Sequence, residues 1–215
     1  MWSSFESAWQ FALVAFSSVF FLVDPFAAIP AFLSITHDAD EKRRRRTARR
    51  ASWTCFFVLT TFAAAGSYLM KLLGITMPAL EIAGGLIMLR VGMEMLQAQR
   101  SQSQETATEA QEGAEKEEAG IIPLGIPMLA GPGAISTVMV LMGPSPELWR
   151  ALPIFVAIAV TSLSAYWIFT GADRVRAVLG QTGIRVMMRL MGLLLTAVAI
   201  QFAINGMTHL GVLKR

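Results

Sequence analysis

The chain has little of what most redox and metal centres are built from. It contains one cysteine, Cys55, and two histidines, His37 and His209. One cysteine cannot form a disulfide within the chain, and this set is too small for a metal cluster. The sequence therefore disfavours a haem or iron–sulfur role, and we expect no metal or other cofactor. It also lacks a P-loop, a nucleophile elbow and any catalytic constellation, so we expect neither an enzyme nor an ATP-driven pump.

Charge is also scarce, and its scarcity indicates a membrane protein. Charged residues make up 15% of the chain, whereas hydrophobic residues make up 54% and the mean hydropathy is +0.54. Soluble domains carry about 25% charged residues. The composition therefore predicts an integral membrane protein. Residues 1–10 contain no Lys or Arg and the first apolar run is long, so we expect a retained first helix rather than a signal peptide.

Six stretches are long enough to cross a bilayer as helices, which takes about 20 apolar residues. They are residues 8–36, 51–73, 76–97, 120–143, 151–171 and 186–207. The polar, acidic residues 98–119 should form a flexible or frayed-helical loop between two halves. The predicted organisation is a first three-helix repeat in 1–97, an acidic cytoplasmic linker in 98–119, and a second three-helix repeat in 120–215.

Basic residues are concentrated between the first and second predicted spans. Seven lie there: Lys42, Arg43, Arg44, Arg45, Arg46, Arg49 and Arg50. Arg174, Arg176 and Arg185 precede the last span. Because Lys and Arg concentrate in cytoplasmic loops, both connections should face the cytoplasm and both termini should lie outside. A topology signal is the simplest interpretation of the basic block, binding of anionic lipid head groups is a second, and nucleic acid is disfavoured.

Two of the six spans are interrupted by proline and glycine near their middle. The interruptions are residues 24–30 and residues 127–133, with the sequences DPFAAIP and PMLAGPG. Proline removes an amide donor and clashes with the preceding turn, so each span should divide into two half-helices. Such a break must be buried in protein or line a polar cavity, because hydrocarbon cannot hydrogen-bond the freed backbone groups. We predict that the second half-helices start at Asp24-Pro25 and at Gly131-Pro132. For each break alone, a structural kink is the alternative.

The two breaks occupy equivalent positions in an internal repeat. Pro25 and Pro132 are 107 residues apart (132 − 25 = 107), and so are Gly85 and Gly192. Gly85 and Gly92 are seven residues apart, which predicts a closely packed face on the third span. Three spans in each half give the halves opposite topologies. We therefore predict an all-α protein of six transmembrane helices, arranged as two inverted-topology three-helix repeats in which the first helix of each repeat is broken.

The predicted substrate site lies where the two breaks meet near the midplane. Unpaired amide N–H groups and the positive end of a helix dipole at a helix start suit a carboxylate. A carboxylate inside the membrane costs free energy, so Asp24 is the strongest single candidate for a functional residue. It could cap a half-helix, bind a substrate amine or carry a proton, and Glu94 is the second candidate for proton coupling. The predicted substrate-binding residues are Asp24, Pro25, Ala27, Ala28, Gly131, Pro132, Gly133, Ser136, Gln201 and Asn205.

Other polar residues of the apolar spans have structural interpretations. Glu94 follows Arg90 by four residues, so the two side chains can pair on one helix face. Glu81 lies near a helix start, where pairing or a place in the membrane interface is expected. Gln201 and Asn205 are also four residues apart, and they could hydrogen-bond between helices or line the cavity.

Several stretches of the chain resemble a known family. They are DPxxxIPxFL from Asp24, IAGGLI from Ile82, PLxIPxxAGPGxI from Pro123, RLMGLL from Arg189 and QFxxNG from Gln201. In this order, and over essentially the whole chain, they resemble the MarC family of bacterial inner-membrane proteins, also designated UPF0056. The AGPG element is the most specific of them.

The resemblance implies a six-span protein of the bacterial inner membrane. Some members of the family are described as proton-dependent transporters of small neutral amino acids such as glycine and alanine. Carried over by position, the residues around Asp24-Pro25 and Gly131-Pro132-Gly133 would bind the substrate. The chain departs from the pattern at Ala27-Ala28, where relatives often have Gly-Asn, and at Glu81, where a basic residue is usual. The first departure leaves the identity of the substrate open.

The leading hypothesis is a secondary transporter of small solutes, with glycine or alanine as the expected type of cargo and a proton or another ion as the coupling partner. An exporter of another small metabolite or drug is the first alternative. A non-transporting membrane scaffold or sensor is the second. The expected partners are the lipid bilayer and the small solute, without nucleic acid, and no oligomeric state is predicted.

Overall fold

The computed structural model describes residues 2–37, 39–97, 120–122, 124–143 and 148–212. Within these residues every element of secondary structure is helical. The predicted acidic linker 98–119 and Pro123 lie outside the described residues. In chain order the helices are α1 (Trp2–Val23), α2 (Ile29–Ile35), α3 (Glu41–Leu73), α4 (Met77–Leu96), α5 (Leu124–Leu129), α6 (Pro132–Met142), α7 (Leu148–Thr170) and α8 (Ala172–His209).

Three of the described helices are long and apolar enough to cross a membrane. They are Glu41–Leu73, Leu148–Thr170, and Thr182–His209 within α8. Ala8–Val23 and Pro132–Met142 are apolar but shorter, because each belongs to a broken stretch. α4 is 20 residues long but contains three charged residues. The structure thus confirms an all-helical chain with apolar helices of membrane length, and the arrangement as six spans stays a prediction.

Both predicted interruptions are present in the helices. α1 ends at Val23 and α2 begins at Ile29. In the second half, α5 is a π-helical segment in which Ile126 is extended (φ −134°, ψ 126°). Gly131 is also extended, and α6 begins at Pro132 as predicted. Proline suits this first helical position because the amide that it lacks would have no helical partner there.

Two helices extend beyond their predicted spans at the ends that carry basic residues. α3 begins at Glu41 because Asp40 caps it, and the Asp40 carboxylate accepts the Arg43 N–H at 3.0 Å. The basic block that was predicted as a loop is therefore helical. α8 begins at Ala172 rather than at 186 and is interrupted at Gly180, which has a φ of +61°. Glycine adopts this conformation at little steric cost.

The helices pack as one larger group and one pair. α1, α2, α3, α5, α6 and α7 share the main hydrophobic core. α4 and α8 contact each other extensively around Met88, Met95, Leu195 and Ala199, which we name the α4–α8 cluster. α2 contacts α8, and α6 contacts α4. Each half-helix that follows a break therefore packs against one helix of the pair.

Glycines allow α4 and α8 to approach at backbone distance. A Cβ at Gly85 would lie 2.7 Å from the Ala199 carbonyl oxygen, and one at Gly92 would lie 3.0 Å from the Gly192 carbonyl oxygen. A Cβ at Gly192 would lie 2.8 Å from the Gly92 carbonyl oxygen. Backbone atoms cannot rotate away as a side chain can. The closely packed face predicted from Gly85 and Gly92 is confirmed, and small residues at such an interface favour helix association in a membrane.

We expect Gly85→Leu to destabilise the protein, because the new side chain would collide with the α8 backbone. Overpacking of a tight interior typically costs about 1–3 kcal/mol. Thermal unfolding of the purified protein in detergent measures the effect. Ala83→Leu is the matched control, since Ala83 is exposed on the same helix. Equal unfolding midpoints for the two variants would contradict the packing at Gly85.

Candidate functional site

Asp24 occupies the first break in a left-handed backbone conformation. Its φ is +39°. In the described part of the chain it is the only residue other than glycine with a positive φ. The Asp24 amide donates to the Phe20 carbonyl at 3.1 Å and closes the end of α1. Its carboxylate Oδ1 accepts the Ala27 N–H at 3.2 Å. Asp tolerates left-handed conformations because its short polar side chain makes local hydrogen bonds of this kind.

The half-helix that follows Asp24 starts later than the sequence analysis predicted. The prediction of a helix start at Asp24-Pro25 is wrong, because α2 begins at Ile29 and its N-cap residue makes no side-chain hydrogen bond. Residues 25–28 form turns instead, in which the Ala27 N–H donates to the Asp24 carbonyl at 3.1 Å. This bond pairs backbone groups that a broken helix would otherwise leave without partners. The carboxylate therefore caps a turn between two helices.

The second break presents the start of α6. Gly131 is the N-cap residue in an extended conformation and Pro132 is the first helical residue. The first intrahelical bond runs from the Ile135 N–H to the Gly131 carbonyl at 3.0 Å. The amide groups of Gly133 and Ala134 precede that bond and so have no partner within the helix. Together with the helix dipole, they form an end that favours an anionic group.

Both breaks pack against the α4–α8 pair. Ala27 packs against the α4–α8 cluster. Gly133 approaches Met88 of that cluster so closely that a Cβ would lie 2.6 Å from the Met88 Cγ. Ser136 is buried one turn further along α6, where Gly84 makes room for it: a Cβ at Gly84 would lie 2.7 Å from the Ser136 Oγ. The structure thus brings residues of both predicted half-sites to the same pair of helices.

The remaining residues of the two breaks differ in exposure. Pro25 and Ala28 are buried, whereas Pro132 is exposed. Asp24 and Gly131 are half-buried. α1 and α6 also contact each other. Neither break is therefore completely enclosed by the described residues, although Gly133 and Ala134 at the start of α6 are buried.

Three threonine hydroxyls inside the bundle are polar groups that the sequence analysis missed. The Oγ1 atoms of Thr60 in α3, Thr137 in α6 and Thr161 in α7 are buried, and none has a hydrogen-bond partner within the described residues. Buried polar atoms are usually paired, so three unpaired hydroxyls are unusual. α3, α6 and α7 contact one another. The sequence gives little signal for them, because threonine in an apolar helix often bonds its own backbone.

The other predicted polar residues pair along their own helices. The predicted Arg90–Glu94 pair is confirmed, with Arg90 Nε 3.2 Å from Glu94 Oε1, and Glu94 is half-buried. Gln201 Nε2 donates to Asn205 Oδ1 at 2.8 Å, and both residues are exposed on α8. The amides therefore bond to each other rather than to another helix. Their part in substrate binding, and that of Glu94 in proton coupling, stay predictions.

A second polar contact joins α4 to the end of α8. Glu81 is 5% exposed, and its Oε2 lies 2.9 Å from His209 Nδ1. Gly206 provides space for it, since a Cβ there would lie 3.3 Å from the Glu81 Cβ. The expectation that Glu81 pairs is confirmed, but the partner was missed because His209 is 128 positions away. No local pattern connects residues at that separation.

The two breaks together offer amide N–H groups, one carboxylate and small side chains. Among the residues that the structure describes, no three His, Cys, Asp or Glu side chains lie close enough to hold a metal ion. A carboxylate suits a cationic group, and a helix start suits an anionic one. The two breaks thus present one group of each kind.

Comparison with known proteins identifies the family. A family model described as "MarC family integral membrane protein" matches residues 9–210. The chain belongs to the MarC family of integral membrane proteins. The resemblance seen in the sequence is thus confirmed over most of the chain.

Relatives of this MarC-family chain come from distant bacteria and archaea. A UPF0056 membrane protein of Aquifex aeolicus is 33% identical over 196 residues, which cover 91% of this chain and 92% of that protein. One of Pyrococcus abyssi is 37% identical over 194 residues, covering 90% and 92%. The UPF0056 membrane protein YhcE of Escherichia coli is 34% identical over 191 residues, covering 89% of each. No solved structure matches the chain.

In this MarC-family protein we expect Asp24→Val to unfold at a lower temperature than Asp24→Asn or Asp24→Gly. Forcing a left-handed conformation on a residue with a Cβ costs roughly 1–2 kcal/mol, whereas Asn tolerates it and Gly has no such cost. Thermal unfolding in detergent measures the order. Ser17→Val, at an exposed position of α1, is the control for a β-branched substitution. A stable Asp24→Val variant would contradict the positive φ at this position.

We also expect Gly133→Ala to lower the free energy of unfolding. Met88→Ala in the same chain should make that decrease smaller. The new methyl group would collide with the Met88 side chain, and shortening Met88 removes the collision. A double-mutant cycle of thermal unfolding measures the coupling, which for residues in contact is about 0.5–3 kcal/mol. Met88→Ala alone provides the cost of the lost side chain. Purely additive effects would show that Gly133 and Met88 are not in contact.

Proposed function

We propose that this protein is a secondary transporter that binds a small neutral amino acid between its two breaks and couples its movement to protons. It would be a non-enzymatic protein of the inner membrane, with six spans in two inverted repeats and both termini outside. The observation that carries the proposal is the packing of both breaks against the α4–α8 pair. One break supplies the Asp24 carboxylate and the other supplies the start of α6. Discontinuous helices at equivalent places in two repeats are typical of transporter binding sites.

Contacts between α4 and α8 support the inverted repeat. In the repeat, Gly85 is equivalent to Gly192, and Gly92 is equivalent to Ala199 (199 − 92 = 107). Gly85 approaches the Ala199 carbonyl, and Gly192 approaches the Gly92 carbonyl. If each residue is replaced by its equivalent in the other half, the Gly85–Ala199 contact becomes the Gly192–Gly92 contact. Such reciprocal contacts are expected between two segments that are related by a twofold axis.

The contacts of other helices agree with the same axis. Cys55 of α3 and Ser162 of α7 are equivalent positions (162 − 55 = 107), both are buried, and the two helices contact each other. Equivalent helices that contact each other lie close to a twofold axis. In addition, α2 contacts α8 and its equivalent α6 contacts α4. A substrate site at the repeat interface would then lie between the two breaks.

The chemistry of the two breaks fits a zwitterion. The free amide groups of Gly133 and Ala134 at the start of α6 would hold the carboxylate of an amino acid. The Asp24 carboxylate would hold its ammonium group in a charge-assisted hydrogen bond. Ala27 packs against the cluster that contains Met88, so the residues beside the first break are small or apolar. Such surroundings suit the short apolar side chain of alanine or the hydrogen of glycine.

Asp24 is also the preferred carrier of the coupled proton. It is the one titratable residue in the two breaks, and among the described residues its carboxylate accepts a hydrogen bond from a backbone amide and forms no ion pair. A carboxylate inside the membrane that lacks a permanent counter-ion can take up a proton on one side and release it on the other. Glu94 is the second candidate, although it already pairs with Arg90.

Two other functions would use the same fold. An exporter of another small metabolite or drug would use the same site with a different cargo. A non-transporting scaffold or sensor is favoured by one observation, the close approach of Gly133 to Met88, because a scaffold needs a filled and dry interior. The scaffold predicts no solute flux under any gradient.

Uptake of radiolabelled glycine and alanine into proteoliposomes tests the proposal. We expect an inward proton gradient to stimulate uptake by the wild-type protein. Asp24→Asn should abolish the stimulation while the protein stays folded, since the amide keeps the size of the side chain and its backbone hydrogen bond. Glu41→Gln is the matched control, because Glu41 is an exposed carboxylate at the start of α3.

Three outcomes would count against parts of the proposal. Unchanged gradient dependence in Asp24→Asn would remove Asp24 from proton coupling. Uptake of neither amino acid by a folded wild-type protein would exclude this cargo and favour the exporter. Absence of flux for a broad panel of metabolites, inward and outward, would favour the scaffold.

A further inference from the structure

One face of α3 carries exposed basic side chains followed by exposed aromatic ones. We name these residues the basic–aromatic stripe: Lys42, Arg46, Arg49, Trp53 and Phe57. Successive members are four, three, four and four residues apart, which places them on one side of an α-helix. Trp53 is 53% exposed and Phe57 is 60% exposed. The stripe is therefore a continuous outward surface.

The opposite face of α3 is fixed against the protein. Ala48 and Ala51 are completely buried. Arg44, which lies on that side, forms an ion pair with Asp173 and lies 5.8 Å from the centre of the Phe32 ring. These contacts set the rotation of the helix. The stripe consequently faces away from the bundle.

The two aromatic residues of the stripe lie where the sequence of α3 changes from basic to apolar. The Trp53 and Phe57 rings are stacked with their centres 5.3 Å apart. Arg49 precedes Trp53 by one turn, which is about 6 Å along a helix. Tryptophan is enriched where a membrane meets water, with its ring at the level of the head groups. With the Trp53 ring at that level, Arg49 would lie on the water side of the boundary and Phe57 on the hydrocarbon side.

Two more exposed apolar residues lie near the basic end of α3. A Cβ at Gly120 would lie 2.7 Å from the Arg50 Cβ, so the chain at 120–122 runs along this end of α3. Ile121 and Ile122 are 40% and 56% exposed there. Exposed isoleucines next to arginines provide a surface that is apolar and basic at the same time.

We propose that the basic–aromatic stripe binds an anionic phospholipid. Arg49 would hold the phosphodiester, with the other basic residues of the stripe adding to the attraction, because a guanidinium group binds phosphate oxygens with two parallel hydrogen bonds. The Trp53 indole N–H would donate to the ester region one turn below, and the acyl chain would lie on Phe57. A topology signal needs only the charges. It does not require their alignment with two aromatic rings.

The experiment compares lipid binding by the purified protein in detergent, with bound lipid counted by native mass spectrometry. The probes are phosphatidylglycerol and phosphatidylcholine with identical acyl chains. We expect the wild-type protein to bind phosphatidylglycerol roughly tenfold more tightly, since basic residues near a membrane surface attract anionic lipid. Arg46→Gln/Arg49→Gln and the charge-neutral Trp53→Leu/Phe57→Leu should each reduce that affinity severalfold.

Arg174→Gln/Arg176→Gln is the matched control, because it removes the same charge from exposed positions of α8. This control should keep the affinity of the wild-type protein. An equal loss in the α3 and α8 arginine variants would show a diffuse charge effect and overturn the site. Equal affinity for the two lipids, or full competition by inorganic phosphate, would also overturn it. If the arginine variant does not fold, the aromatic variant and the two-lipid comparison still decide.

Discussion

Hydrocarbon offers no hydrogen bonds, so a helix that breaks inside a membrane needs partners for its freed backbone groups within the protein. Most of this structure follows from meeting that constraint twice. At the first break, Asp24 turns the chain and accepts the Ala27 N–H, and the Phe26 carbonyl accepts the Ile29 N–H. At the second, Gly131 is extended and α6 restarts at Pro132, which has no amide to satisfy. The α4–α8 pair then covers both breaks.

The α4–α8 pair can cover both breaks because the backbones of its two helices lie very close together. Gly85, Gly92 and Gly192 bring the backbones together, so the pair presents a compact surface to both halves of the chain. Gly84 and Met88 of α4 face α6, and the α4–α8 cluster also receives Ala27 from the first break. Ala27 of the first break and Gly133 at the start of α6 thus lie against the same pair of helices. The proposed transporter would need its binding site at such a place, because its halves must move against each other around it.

The features that could be predicted from the sequence are those that depend on a residue's own backbone or on its near neighbours in the chain. Proline and glycine act on their own backbone, so both breaks, the start of α6 and the close-packed glycines were predicted at the right residues. The start of α2 was wrong because Asp24 adopts a left-handed conformation that its sequence context does not reveal. The helical basic block was missed because hydropathy marks only the apolar part of α3, whereas Arg, Lys and Glu are good helix formers and Asp40 caps the helix.

Contacts between distant residues could not be predicted from the sequence. The Glu81–His209 pair depends on the docking of α8 against α4, and the unpaired threonine hydroxyls depend on how three helices meet. The exposure of Gln201 and Asn205 likewise follows from the rotation of α8. Each of these features is a property of tertiary packing, which the spacing of residues along one helix does not determine.

The central claim is that a solute reaches the space between the two breaks. The most direct test is the reactivity of an Ala27→Cys thiol in a Cys55→Ala background, because Ala27 is half-buried against the α4–α8 cluster and Cys55 is the chain's one other thiol. In proteoliposomes, a small charged methanethiosulfonate should label this thiol from water. Alanine should slow the labelling, and sucrose should not. A thiol that stays unreactive under every gradient and solute would mean a dry, filled interior and would contradict the account.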